Sequence, residues 1–235
     1  AFTGKVKHRL HMGFEDPSEA TGTPEFIKSE FRRIRNQIRT GFRLFFHTNI
    51  EKLTVLYFGS FNPFHIGHAS VAKFVAAQPW VEQLCFVLSP KNPIKESNTL
   101  QDANLRWEDL ERVVRKLNGE TICREEKFSA SDIEFHLEPP LYTINTLERL
   151  EKDFPHRHFA ILMGGDNINI LHKWYRGEEI MQKCPILVYP RQGFDTEAIC
   201  QEKGAIFIDA PQVDVSSTQI RTIEAAGEDA SHLRY

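Results

Sequence analysis

This sequence of 235 residues lacks several things that would each have fixed a class. No apolar run approaches the roughly 20 residues that a membrane helix needs, and the first residues carry no basic start, apolar stretch and small-residue cleavage site of the kind that directs secretion. Cysteine is scarce: Cys85, Cys123, Cys184 and Cys200 are far apart, with no C-x-x-C. The first three lie in or beside apolar runs, which makes them reduced packing residues of a cytoplasmic protein rather than a disulfide framework or zinc site. His136, His156, His158, His172 and His232 share no metal-ligand spacing. No Ser-His-Asp arrangement, no G-x-x-x-x-G-K-(S/T) loop, no internal repeat and no low-complexity tract is present. With 41% hydrophobic and 26% charged residues, the chain has ordinary globular composition.

Charge is uneven. Residues 1–50 hold nine Lys/Arg against five Asp/Glu, a balance of +4, and the remainder holds twenty against twenty-seven, a balance of −7. The chain therefore divides into a basic extension, 1–51, and a body, 52–235. In the extension, Thr23-Pro24-Glu25 starts a helix with a hydroxyl cap, a first-turn proline and an acid against the dipole. Ile27, Phe31, Ile34 and Ile38 recur at helical spacing opposite Lys28, Arg32, Arg33, Arg35 and Arg39, and the helix is predicted to end near Thr40-Gly41. A helix packed on the body with a solvated basic face is the expectation. Neither a membrane nor a nucleic acid is expected as partner.

From Lys52 on, apolar strand-like runs alternate with helical ones. Strands are predicted over Leu53–Phe58, Leu84–Leu88, Phe159–Met163, Ile186–Tyr189 and Ala205–Ile208. Helices are predicted over Val71–Ala77, Asp102–Leu117, Thr143–Leu150, Asn167–Leu171, Glu178–Gln182, Glu197–Lys203 and Ser217–Ala226. Leu105, Leu110, Val113, Val114 and Leu117 form the apolar side of the second of these helices. Such alternation predicts an α/β, doubly wound, Rossmann-like parallel sheet with helices on both faces, in which ligands bind beyond the carboxyl ends of the strands.

The run FGSFNPFHIGH, Phe58 to His68, joins the first strand to the first helix. Gly59 permits close approach, Pro63 stiffens the loop, and His65 and His68, three apart, face one way at a helix start. Free N–H groups and the partial positive charge of that helix start suit an anion. Ser60 and Phe61 belong to the same run. SPKNPIK, Ser89 to Lys95, offers Lys91 or Lys95 as a phosphate clamp. Tyr142 and Thr143 open a helix whose N–H and hydroxyl groups suit a carboxylate. In MGGDNINILHKWYRG, Gly164 and Gly165 allow a ligand close, Asp166 suits ribose hydroxyls, and Trp174 and Tyr175 suit a flat ring. Ser216, Ser217 and Thr218 open the last helix, with Arg221 one turn on: a second site for phosphate.

The run Gly59-Ser60-Phe61-Asn62-Pro63, then His65-Ile66-Gly67-His68, resembles the (T/H)-x-G-H signature of the nucleotidyltransferase superfamily. With Tyr142-Thr143-Ile144-Asn145-Thr146-Leu147, Gly165-Asp166 followed by Trp174, the Arg191-Gln192-Gly193 turn and Ser216-Ser217-Thr218-Gln219-Ile220-Arg221, it resembles the bacterial nicotinate mononucleotide adenylyltransferases from about Lys52 to about Arg221. Asn62 stands where that family more often has aspartate, Ile94 where it has histidine, and Gln192 where it has proline. The chain also stops soon after the last motif, where the resemblance leads one to expect a further helix. The resemblance implies transfer of the adenylyl group of ATP to nicotinate mononucleotide, with release of pyrophosphate and no covalent enzyme intermediate. It implies His65, His68 and Arg221 as catalytic residues and Mg²⁺ carried on the ATP phosphates, with no metal ligands from the protein. ATP would be held by Gly59, Ser60, Phe61, Lys95, Asp166, Arg191, Ser216, Ser217 and Thr218 as well. The pyridine nucleotide would be held by Thr143, Trp174 and Tyr175. The alternatives are another small-substrate nucleotidyltransferase, such as phosphopantetheine adenylyltransferase, or a nucleotide sensor without catalysis. Residues 8–46 separately resemble the tail of low-molecular-weight phosphatases and arsenate reductases, whose catalytic C-x5-R loop is absent here.

Overall fold

The computed structural model describes residues 14–48, 52–90, 102–120 and 126–235. Six parallel strands form one sheet: β1 Leu53–Gly59, β2 Val81–Leu88, β3 Phe128–Ser131, β4 Phe159–Gly164, β5 Ile186–Tyr189 and β6 Ile206–Phe207. Their order is β3-β2-β1-β4-β5-β6, the doubly wound order, with the change of winding direction between β1 and β4. Both motif runs that follow these two strands therefore open at the switch point. The helices of the body are α2 Ile66–Ala76, α3 Ala103–Gly119, α4 Thr143–Asp153, α5 Gly165–Ile170, α6 Gly177–Lys183, α7 Thr196–Lys203 and α8 Ser217–Ala225, preceded by α1 Pro24–Thr48.

The strands are buried on both faces, and their side chains divide between two cores by the period-2 rule. Val55, Tyr57, Leu84, Phe86, Leu88, Leu162 and Leu187 pack with Val71 and Val75 of α2 and Leu110, Val113 and Leu117 of α3. Leu56, Val87, Ile161, Met163 and Val188 pack on the other face with Ile144, Leu147 and Leu150 of α4 and Ile168, Ile180 and Cys200 of α5, α6 and α7. Cys85, Cys184 and Cys200 are buried. Cys123 lies outside the described residues, as do Lys91, Ile94 and Lys95.

The structure corrects the sequence reading in four places. Strand β3 is not predicted from sequence, because FSAS has one large apolar residue and no alternation; its pairing to β2 alone makes it a strand. The N-terminal helix does not stop at Thr40-Gly41 but runs through Gly41 to Thr48, since one glycine costs a helix only about 1 kcal/mol. Its apolar stripe is seated at Ile34 alone, with Phe31 49% and Ile38 37% exposed. Asn36 and Arg39 reach Asp209 and Glu197 of the body. Leu105 is 54% exposed, whereas Leu110 is fully buried: the buried face of α3 is Arg106, Leu110, Val113 and Leu117, spaced at the helical period, and Leu105, whose N–H Asp102 caps, lies about 110° round the helix from it.

Leu110→Ala should lower the unfolding free energy by about 2–5 kcal/mol, as for other large-to-small core changes. Leu105→Ala should change it by no more than about 0.5 kcal/mol. Urea unfolding of both variants measures this, and equal losses would contradict the assigned faces.

Candidate active site

At the carboxyl ends of β1, β4 and β5 a cleft of about 630 Å³ opens. Gly59, Ser60, Phe61, His65, His68, Thr143, Asp166, Trp174, Tyr175, Arg191, Ser216, Ser217, Thr218 and Arg221 all line it. Thus these candidates meet in one place, whereas Gly165, read from the sequence as another point of close approach, is buried against Thr196. Lys95 lies outside the described residues.

The first wall is the loop from β1 to α2. A Cβ on Gly59 would stand 2.8 Å from the Phe61 ring, so the glycine makes room for Phe61, which packs against Tyr57, Phe64, Phe86 and His68. The Asn62–Pro63 peptide is cis. His65 is the N-cap of α2, and two reciprocal bonds form there. The His68 N–H donates to Nδ1 of His65 at 3.4 Å, and the His65 N–H donates to Nδ1 of His68 at 3.3 Å. The two rings stack at 3.7 Å. Because each Nδ1 accepts a hydrogen bond, each ring carries its proton on Nε2 and can offer Nε2–H as a donor. His65 is only 2% exposed. Burial, and then the nearby Arg191 charge, pull its pKa from 6.5 down to about 4, so at neutral pH it is a neutral donor rather than a cation.

The second wall is the start of α8, capped by Ser216, whose Oγ accepts the Gln219 N–H. Here the two helix starts are joined. The Ser217 hydroxyl donates to the Pro63 carbonyl at 3.0 Å, and Arg221 Nη1 donates to the Asn62 carbonyl at 2.6 Å while Nη2 donates to Thr218 Oγ1 at 3.0 Å. These bonds give Asn62 and Pro63, which read in the sequence only as loop-formers, a part in aligning the second helix start with the first.

Between the walls, Asp166 and Arg191 face each other, with Arg191 Nε 3.6 Å from Asp166 Oδ1. That is too long for a hydrogen bond, and both atoms are buried with no hydrogen-bond partner among the described residues. A Cβ on Gly164 would collide with Asp166 Oδ1 and press on Arg191, which gives this glycine its reason. Tyr57 and Tyr189 form the floor, with their hydroxyls 3.1 Å apart. Burial raises the pKa of both. On the far side of the cleft, Tyr175 is half exposed and stacks on Tyr142 at 4.4 Å, while Trp174 packs on the core with its Nε1–H buried and without a hydrogen-bond partner among the described residues. Sequence reasoning missed Tyr57, Glu134 and Tyr189 in this lining. The tyrosines lie inside apolar strands, where period-2 packing already accounts for them, and Glu134 follows an unpredicted strand. Among the described residues no group of three His, Cys, Asp or Glu could hold a metal ion. The cleft supplies donors and cations, which fits a metal ion arriving on a phosphate ligand. No described helix is long and apolar enough to cross a membrane.

The sequence model of the cytidylyltransferase-like family matches residues 56–223. A protein of Porphyromonas gingivalis named as a probable nicotinate-nucleotide adenylyltransferase is 40% identical over 78% of this chain and 88% of its own length. One so named in Flavobacterium psychrophilum is 43% identical over 71% of this chain and 83% of its own. Among solved structures, Plasmodium falciparum nicotinic acid mononucleotide adenylyltransferase complexed with NaAD superposes with a TM-score of 0.65. Its identity is 21%, over 77% of this chain and 87% of that one, and it supports the fold alone.

The low pKa of His65 has a consequence for stability. In the unfolded chain the ring binds a proton below about pH 6.5, and in the folded one only below about 4, so stability rises with pH across that window. The full effect is about 3 kcal/mol. His65→Asn keeps a capping acceptor and removes the titration. Unfolding free energies at pH 4 and pH 7 should differ less in this variant by about that amount, and an unchanged difference would contradict the assignment.

Proposed function

This chain belongs to the cytidylyltransferase-like family, among the nicotinate-nucleotide adenylyltransferases, and we infer from that membership that it is an enzyme of NAD biosynthesis. It transfers the adenylyl group of ATP to nicotinate mononucleotide, giving nicotinate adenine dinucleotide and pyrophosphate. The observation that carries the reading is the convergence of two helix starts, at His65 and Ser217, on one cleft whose far side carries Thr143, Trp174 and Tyr175.

The phosphate of the mononucleotide attacks the α-phosphorus of ATP in line. One P–O bond forms as the bond to the leaving pyrophosphate breaks, and the protein is asked for position and charge rather than for a nucleophile. His65 and His68 offer Nε2–H donors to the α-phosphate and its developing charge. Because His65 is neutral, the cationic work falls on Arg221, with Lys95 in the same role. Ser216, Ser217 and Thr218 add hydroxyl and N–H donors for the outgoing pyrophosphate. Gly59, Ser60 and Phe61 leave the adenylyl group room. Asp166 and Arg191, which both line the cleft, fit ribose hydroxyls and phosphate oxygens. Thr143, Trp174 and Tyr175 hold the pyridine ring and its carboxylate. Mg²⁺ would be carried on the triphosphate, where it would supply charge neutralisation for the outgoing pyrophosphate. The body, 52–235, is the catalytic unit, and it works in the cytoplasm.

Pyrophosphate release, followed with ATP and each of nicotinate mononucleotide, nicotinamide mononucleotide and phosphopantetheine, tests the reading. Release should be fastest with a pyridine mononucleotide, and a preference for phosphopantetheine or no release at all would overturn it. His68→Ala should lower kcat by about 100-fold or more, the scale of a lost transition-state donor, and a near-normal rate would remove His68 from the mechanism. A chain beginning at residue 52 should keep the activity of the full chain; an insoluble or inactive product would make residues 1–51 part of the catalytic unit.

A further inference from the structure

The loop between β1 and α2 contains a backbone conformation that its own residues do not favour. Phe61 stands at φ +43°, in the left-handed region, where a residue with a Cβ is seldom found and stays only if its surroundings hold it there. The Phe61 ring is fixed by packing on Tyr57, Phe64 and Phe86. The backbone before it is held by a residue that none of the roles above uses. Arg106, near the start of α3, is 1% exposed. Its Nη1 donates to the carbonyls of Ser60 at 2.8 Å and Ser89 at 3.0 Å, and its Nη2 to that of Pro90 at 2.8 Å. Beside it, the Ser89 N–H donates to the Gly59 carbonyl at 2.9 Å. Both carbonyls that precede Phe61 are therefore tied to the end of β2, one of them through a buried guanidinium.

Ser60, Phe61 and Ser89 line the cleft, and Arg106 is not part of its lining. A buried guanidinium is costly to desolvate, and an apolar side chain of similar volume often serves a core as well. Its fork is matched here to carbonyls of two loops, which a single ammonium cannot span in the same way. Phe61 leaves the left-handed region most simply by rotation of the Ser60–Phe61 peptide. In a trans peptide the C=O and N–H point opposite ways, so that rotation takes the Ser60 oxygen off Arg106 and puts it where the Phe61 N–H now stands. We propose that Arg106 is a positioning residue for the transfer: by holding the Ser60 carbonyl it keeps the Phe61 N–H, a donor, on the face of this peptide that meets the triphosphate. The inference rests on the reading of the cleft as an ATP site, and adds to it a residue that touches no substrate. In-line transfer needs its donors closely aligned, and a shift of about 1 Å can cost on the order of 100-fold in rate. Arg106 acts through one peptide beside the triphosphate, so its loss should appear on the ATP side of the reaction and leave the pyridine nucleotide alone.

The test is Arg106→Lys and Arg106→Met in the full chain, with kcat, the KM of each substrate and the thermal midpoint measured for both, the kinetics being taken below the onset of unfolding and per folded molecule. Each should lower kcat/KM for ATP by about 10- to 100-fold and leave the KM for nicotinate mononucleotide within about threefold of the parent. The unmodified chain gives an independent reading, which decides if neither variant folds. Crystallised with a non-hydrolysable ATP analogue, it should show a phosphate oxygen within hydrogen-bond distance of the Phe61 N–H, with the Ser60 carbonyl still on Arg106. Parental kinetics in a folded variant would overturn the inference. So would a loss explained wholly by a smaller folded fraction, a loss confined to the KM of the pyridine nucleotide, or an analogue that leaves the Phe61 N–H without a phosphate oxygen. An unmodified chain that releases no pyrophosphate would instead overturn the reading of function, so the two failures are distinct.

Discussion

Two hydrogen bonds hold the site together: Ser217 Oγ to the Pro63 carbonyl and Arg221 Nη1 to the Asn62 carbonyl. A helix start is a weak anion site taken singly, worth a fraction of a kcal/mol to about 2 kcal/mol according to burial. Two such starts aimed at one ligand are useful only if their separation is fixed. In this chain α2 and α8 belong to opposite ends of the catalytic body, and the sheet alone does not set their distance. The side chains of α8 do so, by satisfying carbonyls of the first loop that would otherwise face the cleft. Arg221 is thereby half structural: its fork is spent in part on Asn62 and Thr218, which orients the charge it presents.

The electrostatics follow from burial. A cleft for a triphosphate would gain from two charged imidazoles, yet His65 is packed too deeply for that. Its reciprocal cap with His68 fixes both rings with Nε2–H as the donor. The motif thus works as a pair of oriented dipoles beside fixed cations, which costs less reorganisation than moving a charge into place. Arg191 serves both sides of this arrangement, since its charge helps keep His65 neutral and its Nε lies 3.6 Å from Asp166 Oδ1.

Much of this is legible in the residues. The alternation of apolar strands with helical runs sets the parallel sheet, and the apolar stretch Ile186–Tyr189 coincides with β5 at both ends. FGSFNPFHIGH and VSSTQIR stand out because glycine, proline, hydroxyls and histidine gathered at a strand end serve little besides a tight turn or a ligand. What stays hidden depends on partners distant in sequence. FSAS becomes β3 only because β2 lies beside it, and Leu105 looks apolar by spacing yet faces water because it lies off the stripe of α3 that carries Leu110, Val113 and Leu117 inward. Tyr57 and Tyr189 reveal themselves only when their hydroxyls meet. Arg106, in the sequence, is one more cation on a helix; the three carbonyls that claim it come from two separate loops. The basic extension packs on the body only in part, through Ile34, Asn36 and Arg39, while Phe31 and Phe42 remain exposed.

The claim that one triphosphate is shared by two helix starts is tested most directly by a crystal structure with a non-hydrolysable ATP analogue and Mg²⁺. Phosphate oxygens should lie within hydrogen-bond distance of His65 or His68 and, in the same molecule of analogue, of Ser217, Thr218 or Arg221. Phosphates gathered at only one of the two starts, or lying outside the cleft, would contradict it.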